Sequence, residues 1–174
     1  MFPKRVRGIS HVVQGCGFVL ALFATVLLFA HLARAQSMPM PSFDVQALDG
    51  HSVHSADWPL QGKWLVIYVE PRCQACVVLL GRLVAQDYPQ LPAWAIVVAG
   101  GMQPDDVKTF QKRFPDLAGA QWFADPSKNA SSIFKLQGAP VTFGIQNRTV
   151  QWSISGILPD PKHLRSALNT WCAQ

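Results

Sequence analysis

The sequence predicts an α/β fold in which helices flank a central β-sheet of mixed strand direction. Two observations carry this prediction. Apolar runs of strand length alternate with segments of helical periodicity, and the pattern ends in two consecutive strands joined by a turn. Strands that alternate with helices are expected to pair in parallel, whereas the two strands joined by the last turn are expected to pair antiparallel. The 174 residues are enough for one domain with a substantial core.

The first 35 residues have the three parts of an export signal. Residues 4–7 contain three basic side chains, 18–30 form an apolar run, and 33–35 read Ala-Arg-Ala, a small-residue cleavage site. The apolar run is shorter than the roughly 20 residues that span a bilayer. We therefore expect a cleaved signal and an exported, periplasmic domain of residues 36–174. An uncleaved inner-membrane anchor is the alternative.

The export signal also accounts for most of the net charge of +5. Residues 1–35 contain four of the fifteen Lys and Arg and none of the ten Asp and Glu. Residues 36–174 are therefore almost neutral, with eleven basic side chains against ten acidic ones. A near-neutral domain offers no electrostatic reason to bind nucleic acid, so we expect no nucleic-acid partner.

The domain begins with a polar, proline-containing lead-in at 36–41, which we expect to be mobile. Residues 42–48 alternate in polarity and predict a strand, and Asp49-Gly50 predicts a tight turn into a hairpin partner at 52–54. After a loop, residues 64–69 form a continuous apolar run, typical of a strand covered on both faces.

The remaining elements follow from periodicity and helix-end signals. Residues 73–86 predict a helix, with apolar side chains over much of its surface. Pro104 with Asp105-Asp106 suits a helix start, and so does Asp160 followed by Pro161. In chain order we predict a strand at 94–99, a helix at 104–114, a strand at 121–123, a helix at 127–135, a strand at 141–145, a turn at 146–148, a strand at 149–154 and a last helix from Pro161.

The chemistry lies in Cys73-Gln74-Ala75-Cys76, which follows a buried strand and opens a helix. The helix dipole and free backbone N–H groups stabilise a thiolate on Cys73, and the neighbouring Arg72 adds positive charge. The spacing places the Cys76 thiol one turn further, close enough to form a disulfide with Cys73. This arrangement suits thiol–disulfide exchange, with Cys73 as nucleophile and Cys76 as resolving thiol.

Other interpretations of the cysteines remain open. A zinc site would need four ligands, and an inert structural disulfide is common in small exported domains. Copper binding could use Met38 and Met40 with the cysteines and His51 or His54, because thioether, thiolate and imidazole suit Cu(I). We expect no metal. Cys172 is expected to be a partly buried free thiol, with an intermolecular disulfide as the alternative.

The sequence resembles the thioredoxin superfamily, and within it the exported TlpA/ResA/DsbE-like thiol–disulfide oxidoreductases. The resemblance covers nearly all of residues 36–174. It rests on the cysteine motif and on the segments 43–45, 49–50, 62–69, 124–126, 133–136 and 138–143. It implies a thioredoxin-like three-layer fold with a mixed central sheet flanked by helices. It also implies that Pro140 is a cis-proline facing the disulfide, and that Ala139 presents its backbone to substrate polypeptide.

Two departures from the family concern the loop before the cysteines. Arg72 stands where the family usually has an aromatic residue, and we count it among the substrate-binding candidates. Glu70, the only glutamate in the chain, is a candidate for tuning the thiol pKa, although a solvated loop carboxylate is the plainer interpretation. The buried acidic residue that assists the second cysteine in many relatives is not identifiable.

Together these observations predict an enzyme that exchanges disulfides with protein thiols, with the family resemblance favouring the reductive direction. No separate cofactor is expected, because the cysteine pair carries the electrons. The resemblance further implies a membrane electron donor or acceptor, and we expect a monomer. The alternative is a binding protein, either a copper chaperone or an inactive thioredoxin-like module.

Overall fold

The computed structural model describes residues 37–84 and 91–173, so the predicted export signal lies outside the described residues. Residues 37–174 belong to one compact unit. Within the described ranges, no helix has both the length and the apolar character needed to cross a membrane.

An eight-stranded sheet forms the centre of the domain. Its strands are β1 (Met38–Pro39), β2 (Asp44–Ala47), β3 (Ser52–His54), β4 (Lys63–Val69), β5 (Ala95–Gly100), β6 (Gln121–Asp125), β7 (Val141–Gln146) and β8 (Thr149–Ser155). Their order across the sheet is β1-β8-β7-β4-β5-β6-β2-β3. The pairs β4–β5 and β5–β6 are parallel and the other pairs are antiparallel, which confirms the predicted mixed sheet.

In the described part of the chain, four α-helices accompany the sheet: α1 (Gln74–Val84), α2 (Pro104–Gln111), α3 (Asn129–Phe134) and α4 (Pro161–Ala173). Single 3₁₀ turns lie at Ser55–Asp57, Leu91–Trp94 and Pro115–Leu117. Helix α2 stops at Gln111, three residues before the predicted end. Pro115 disfavours helical backbone at the preceding Phe114, whose φ and ψ are −129° and 67°.

Strand β4 is buried on both faces, as its continuous apolar run predicts. Leu65, Ile67 and Val69 face one core, which is completed by α1, α2 and α4 and is called here the α1-side core. Val66 and Tyr68 face the other, called here the α3-side core, which contains α3 and the packed aromatic rings of residues 43, 58, 123 and 143. The domain thus has three layers, with the sheet between two cores.

The N-terminal lead-in is not the mobile segment that its composition suggests. Met38 pairs with Val150 and Pro39 with Thr149, so β1 extends the sheet beyond β8. The Met40 N–H donates to the Arg148 carbonyl at 2.8 Å, and the Met40 side chain is buried in the α3-side core. These backbone pairs and this buried side chain fix the segment, which a prediction from polarity and proline content misses.

The C-terminal half follows the prediction closely, with one irregularity in β8. The Lys162 N–H donates to the Asp160 carboxylate at 2.8 Å, which confirms the predicted cap of α4. In β8, Val150 pairs with Ile145 and Trp152 with Gly144, so Gln151 is an extra residue in a β-bulge. Val150 therefore packs in the α3-side core, whereas Trp152 packs on the α4 side of the sheet.

Candidate active site

Cys73 and Cys76 form a disulfide where the chain passes from β4 into α1. The Cα atoms of the two residues are 5.2 Å apart. Strand β4 ends at Val69 and α1 begins at Gln74, so Cys73 occupies the position just before the helix. Its carbonyl oxygen accepts a hydrogen bond from the Val77 N–H at 3.3 Å, as the residue before a helix does.

The two sulfurs have different environments. Cys76 is fully buried in the α1-side core, whereas Cys73 is half-buried and packs at the edge of that core. The Cys76 backbone N–H lies 3.0 Å from the Cys73 Sγ and points a positive dipole at it. An incoming nucleophile therefore meets Cys73 first, and negative charge that develops on Cys73 has a backbone donor already in place.

The segment 139–140 lies against the disulfide. The Ala139–Pro140 peptide bond is cis, as predicted. The Ala139 carbonyl oxygen is 3.5 Å from the Cys73 Sγ. The Pro140 carbonyl accepts a hydrogen bond from the Gly156 N–H at 2.7 Å, which ties this segment to the end of β8. The structure thus brings the predicted residues Cys73, Ala139 and Pro140 to one place, although 66 residues separate the first two.

Arg72 and Glu70 in the loop before the cysteines have contrasting surroundings. Arg72 is exposed, and its backbone adopts a left-handed conformation with φ of 60°. Glu70 is not a freely solvated carboxylate, because its side chain is only 26% exposed and is held by two partners. Lys128 Nζ donates to Glu70 Oε1 at 3.0 Å, and the Tyr68 hydroxyl donates to the same oxygen at 3.3 Å.

A polar cluster that the sequence analysis missed extends from Glu70 across the ends of the parallel strands. Tyr68 lies in the α3-side core, and burial raises the pKa of its hydroxyl far above the ordinary value of 10.0. Its ring covers Gly100, where an added Cβ would lie 1.8 Å from the Tyr68 Oη. The signal in the sequence is positional: polar residues and glycine follow the carboxyl ends of β4 and β5, which meet at one edge of the sheet.

Asp125, at the end of β6, completes this edge. Its carboxylate is buried and accepts hydrogen bonds from the N–H groups of Asn129 and Ala130 at 2.7 and 2.9 Å. Burial raises the pKa of Asp125, while these two N–H groups and the charge of Lys128 act in the opposite direction. Its hydrogen bonds go to α3, whereas Cys76 packs in the α1-side core. We therefore assign Asp125 to capping α3 and not to assisting the second cysteine.

The residues considered for copper are dispersed. Met40 is buried in the α3-side core, and Met38 lies in β1. The ring Nδ1 of His54 lies 2.7 Å from the Asp44 carboxylate, and His51 contacts Asp49 in the same way. Within residues 37–84 and 91–173, no group of three or more His, Cys, Asp or Glu side chains could hold a metal ion. Residue 172 lies in α4, but its side chain is outside the described part of the chain.

Comparisons with known proteins identify the fold. No protein-family model matches the chain, and no curated protein sequence matches it either. Several solved structures, however, are similar to it. A Chlorobium tepidum protein assigned as the thiol:disulfide interchange protein DsbE is similar with a TM-score of 0.63 and 17% identity, covering 79% of this chain and 94% of that one.

Two further solved structures are exported proteins. A secreted Mycobacterium tuberculosis disulfide oxidoreductase, homologous to Escherichia coli DsbE, has a TM-score of 0.59 and 12% identity over 74% of this chain and 95% of that one. An exposed lipoprotein thioredoxin from Streptococcus pneumoniae has a TM-score of 0.55 and 16% identity over 77% and 100%. The three-layer domain described above therefore has the thioredoxin-like fold of these thiol–disulfide proteins.

Proposed function

We propose that this protein is a thiol–disulfide oxidoreductase that exchanges disulfides with protein substrates through Cys73 and Cys76. One observation carries the proposal. The disulfide lies at the start of α1, and of its two residues Cys73 is half-buried whereas Cys76 is fully buried. A structural disulfide has no need for this asymmetry, whereas exchange requires one accessible sulfur and one protected sulfur.

In the reductive direction, the Cys73 thiolate attacks one sulfur of a substrate disulfide. A mixed disulfide forms between Cys73 and the substrate, and the other substrate sulfur leaves as a thiolate. The Cys76 thiolate then attacks the Cys73 Sγ, which re-forms the Cys73–Cys76 disulfide and releases the second substrate sulfur. Two electrons and two protons pass from the cysteine pair to the substrate, and the oxidative direction is the reverse.

Neighbouring residues act on this exchange in three ways. Ala139 offers its backbone to an extended substrate segment beside Cys73, and Pro140 contacts the substrate next to it; the 3.5 Å separation of Cys73 Sγ and Ala139 O supports this role. The exposed Arg72 contacts substrate and stabilises the Cys73 thiolate by its charge. The Glu70 carboxylate opposes that effect, and Lys128, 3.0 Å from it, limits the opposition.

We further propose an exported, periplasmic protein that works as a monomer and as a reductant. The export-signal pattern of residues 1–35 supports the location, and so does the likeness to the secreted mycobacterial protein. A reductant in an oxidising compartment must be re-reduced, so a membrane electron donor is the expected partner. The cysteine pair itself holds the electrons, so the mechanism uses no separate cofactor.

Reduction of insulin by dithiothreitol tests the activity. Adding the wild-type protein should accelerate insulin precipitation, and Cys73→Ser should abolish the acceleration. Cys172→Ser is the matched control, because it removes a thiol outside the proposed pair and should keep the wild-type rate. Equal rates for wild type and Cys73→Ser would refute the proposal.

The direction of exchange is tested by the reduction potential of the Cys73–Cys76 pair. Equilibration in glutathione and dithiothreitol buffers, read out by alkylation and mass spectrometry, gives this value. A potential near about −270 mV, as in thioredoxin, would support a reductant. A potential near about −120 mV would assign the oxidative direction instead.

A further inference from the structure

The loop 156–160, between β8 and α4, is tied to the proposed exchange site. Its first residue, Gly156, donates its N–H to the Pro140 carbonyl at 2.7 Å. The residue before Pro140 is Ala139, whose carbonyl oxygen lies 3.5 Å from the Cys73 Sγ. A shift at the start of this loop would therefore move the backbone that lies beside Cys73.

A side chain of α1 holds the middle of the same loop. Arg82 lies in the last turn of α1, and its Nη1 donates to the carbonyl oxygen of Leu158, 76 residues away in the sequence. The hydrogen bond is partly buried, so it is stronger than a bond of the same kind in water. Because the donor is a charged guanidinium, the bond is also stronger than one between neutral groups.

The Arg82 guanidinium is directed at the loop and not at a counter-charge. Within residues 37–84 and 91–173, no carboxylate forms an ion pair with Arg82. A positive charge in the last turn complements the helix dipole, but this effect needs no particular acceptor. The hydrogen bond to the Leu158 carbonyl is a separate contribution, and it joins the helix that begins beside Cys73 to the loop 156–160.

The residues between the two attachment points make the loop stiff. Only Ile157 separates Gly156 from Leu158. The next residue, Pro159, has a fixed φ and restricts Leu158 to extended backbone. The side chains of Ile157 and Leu158 pack against the α1-side core. Since few dihedrals in this stretch are free, a displacement of the Leu158 carbonyl would be passed on to the Gly156 N–H.

We propose that Arg82 is a positioning residue for substrate binding. By holding the Leu158 carbonyl, it keeps the Ala139 backbone beside Cys73, where an extended substrate segment pairs with it. This inference rests on the proposed exchange function and adds a residue whose described hydrogen bond goes to neither cysteine. Arg82 acts on the binding of polypeptide and leaves the reactivity of the sulfurs unchanged. A disulfide without peptide backbone should therefore react independently of Arg82.

Two disulfide substrates separate binding from sulfur chemistry. Insulin presents its disulfides on polypeptide, whereas hydroxyethyl disulfide has no peptide backbone. The reduced full chain is mixed with each substrate, the reaction is stopped by alkylation, and oxidation of the Cys73–Cys76 pair is measured by mass spectrometry. In Arg82→Met, the second-order rate constant with insulin should fall about tenfold, as expected for the loss of a charge-assisted hydrogen bond. The rate constant with hydroxyethyl disulfide should stay as in wild type.

Lys112→Met is the matched control. Lys112 is exposed and follows the last residue of α2, so this change also removes a positive charge at the end of a helix. Both of its rate constants should equal those of wild type. Arg82→Lys is a second variant of the positioning residue, because it keeps the charge at the helix end but loses the planar fork of donors. It should also react more slowly with insulin alone, and it decides the question if Arg82→Met does not fold.

Amide hydrogen exchange measures the position of the loop without using activity. If Arg82 holds the loop, the Gly156 N–H should exchange at least about tenfold faster in the Arg82 variants than in wild type, as followed in NMR spectra. The N–H of Val66, in the buried central strand β4, is the internal reference and should exchange as in wild type. Local release of the loop changes the first signal only, whereas general destabilisation changes both.

Several results would overturn the proposal. These are equal falls of the two rate constants, an unchanged rate constant with insulin, unchanged exchange at Gly156, or equally faster exchange at Gly156 and Val66. Failure of the proposed function gives a different result, because wild type itself would then not react with insulin. In that case the link from Arg82 to Pro140 is decided by the Gly156 exchange, which supports it if faster and refutes it if unchanged.

Discussion

The Sγ of Cys73 lies 3.5 Å from the carbonyl oxygen of Ala139, 66 residues away in the sequence. In the exchange proposed above, a substrate sulfur bonded to Cys73 would lie beside this backbone segment. Cys76, by contrast, is fully buried and can act only on a sulfur already attached to Cys73.

This asymmetry predicts which variant traps a substrate. In reduced Cys76→Ser, Cys73 can still attack a substrate disulfide but the mixed disulfide has no resolving thiol, so it should accumulate. Non-reducing electrophoresis with reduced, unfolded and reoxidised ribonuclease as substrate would detect it. Cys73→Ser should give no such band, and a stronger band from Cys73→Ser than from Cys76→Ser would reverse the assigned roles.

The charges around the loop before Cys73 predict its reactivity. Glu70→Gln removes a negative charge and should speed alkylation of reduced Cys73 by iodoacetamide by about twofold near pH 6, the size of a screened interaction in water. Arg72→Gln should slow alkylation by a similar factor. Lys128→Met should also slow it, because Glu70 loses the ammonium group 3.0 Å away.

Mass spectrometry of the peptide that contains Cys73 gives these alkylation rates. Lys162→Gln is the control for a change of net charge, because Lys162 is exposed on α4 and should leave the rate as in wild type. Slower alkylation of Glu70→Gln would contradict the role assigned to Glu70.

The buried carboxylate of Asp125 predicts a pH dependence of stability. Burial raises the pKa of Asp125 in the folded state above its ordinary value of 3.8. The stability due to the protonated form is therefore complete below about pH 4 and is lost as the pH rises through the raised pKa. Relative to Asp125→Asn, the wild-type free energy of unfolding should decrease as the pH rises.

Urea unfolding of both proteins between about pH 4 and pH 7 measures this difference. The difference between the two free energies of unfolding removes the effects of other titrating groups that both proteins share. A difference that instead grows in favour of wild type with rising pH would mean that the N–H groups of Asn129 and Ala130 stabilise the carboxylate more than burial disfavours it.

The contact of Tyr68 with Gly100 predicts a large steric effect. An alanine Cβ at position 100 would lie 1.8 Å from the Tyr68 Oη, so Gly100→Ala should lower the free energy of unfolding by about 3 kcal/mol. Gly81→Ala is the matched control. Gly81 lies within α1 with no atom near the added Cβ, so this change should raise stability by about 0.5–1 kcal/mol. A neutral Gly100→Ala would show that the Tyr68 ring moves freely.

The sequence predicted the elements that local signals define. The apolar run of β4, the cysteine motif at the start of α1 and the Asp160 cap of α4 each depend on neighbouring residues, and the structure has all of them. The cis bond at Ala139–Pro140 was predicted from the family resemblance, because no local pattern distinguishes it from an ordinary loop proline.

Features that depend on distant residues were not predictable in this way. Glu70 and Lys128 are 58 residues apart, and only the parallel arrangement of β4, β5 and β6 brings them together. Met38 and Pro39 carry no strand signal of their own and become a strand because β8 offers a free edge.

The extra residue Gln151 has a consequence for how β8 tolerates change in length. Before it, Val150 belongs to one core, and after it, Trp152 belongs to the other. Deletion of Gln151 would make Val150 and Trp152 adjacent on a regular strand, and strict alternation would still place their side chains on opposite faces. Deletion of a regularly paired residue of β8, such as Ser153, would instead move the side chains on one side of the gap to the opposite face. We therefore expect β8 to tolerate the loss of Gln151 far better than the loss of Ser153.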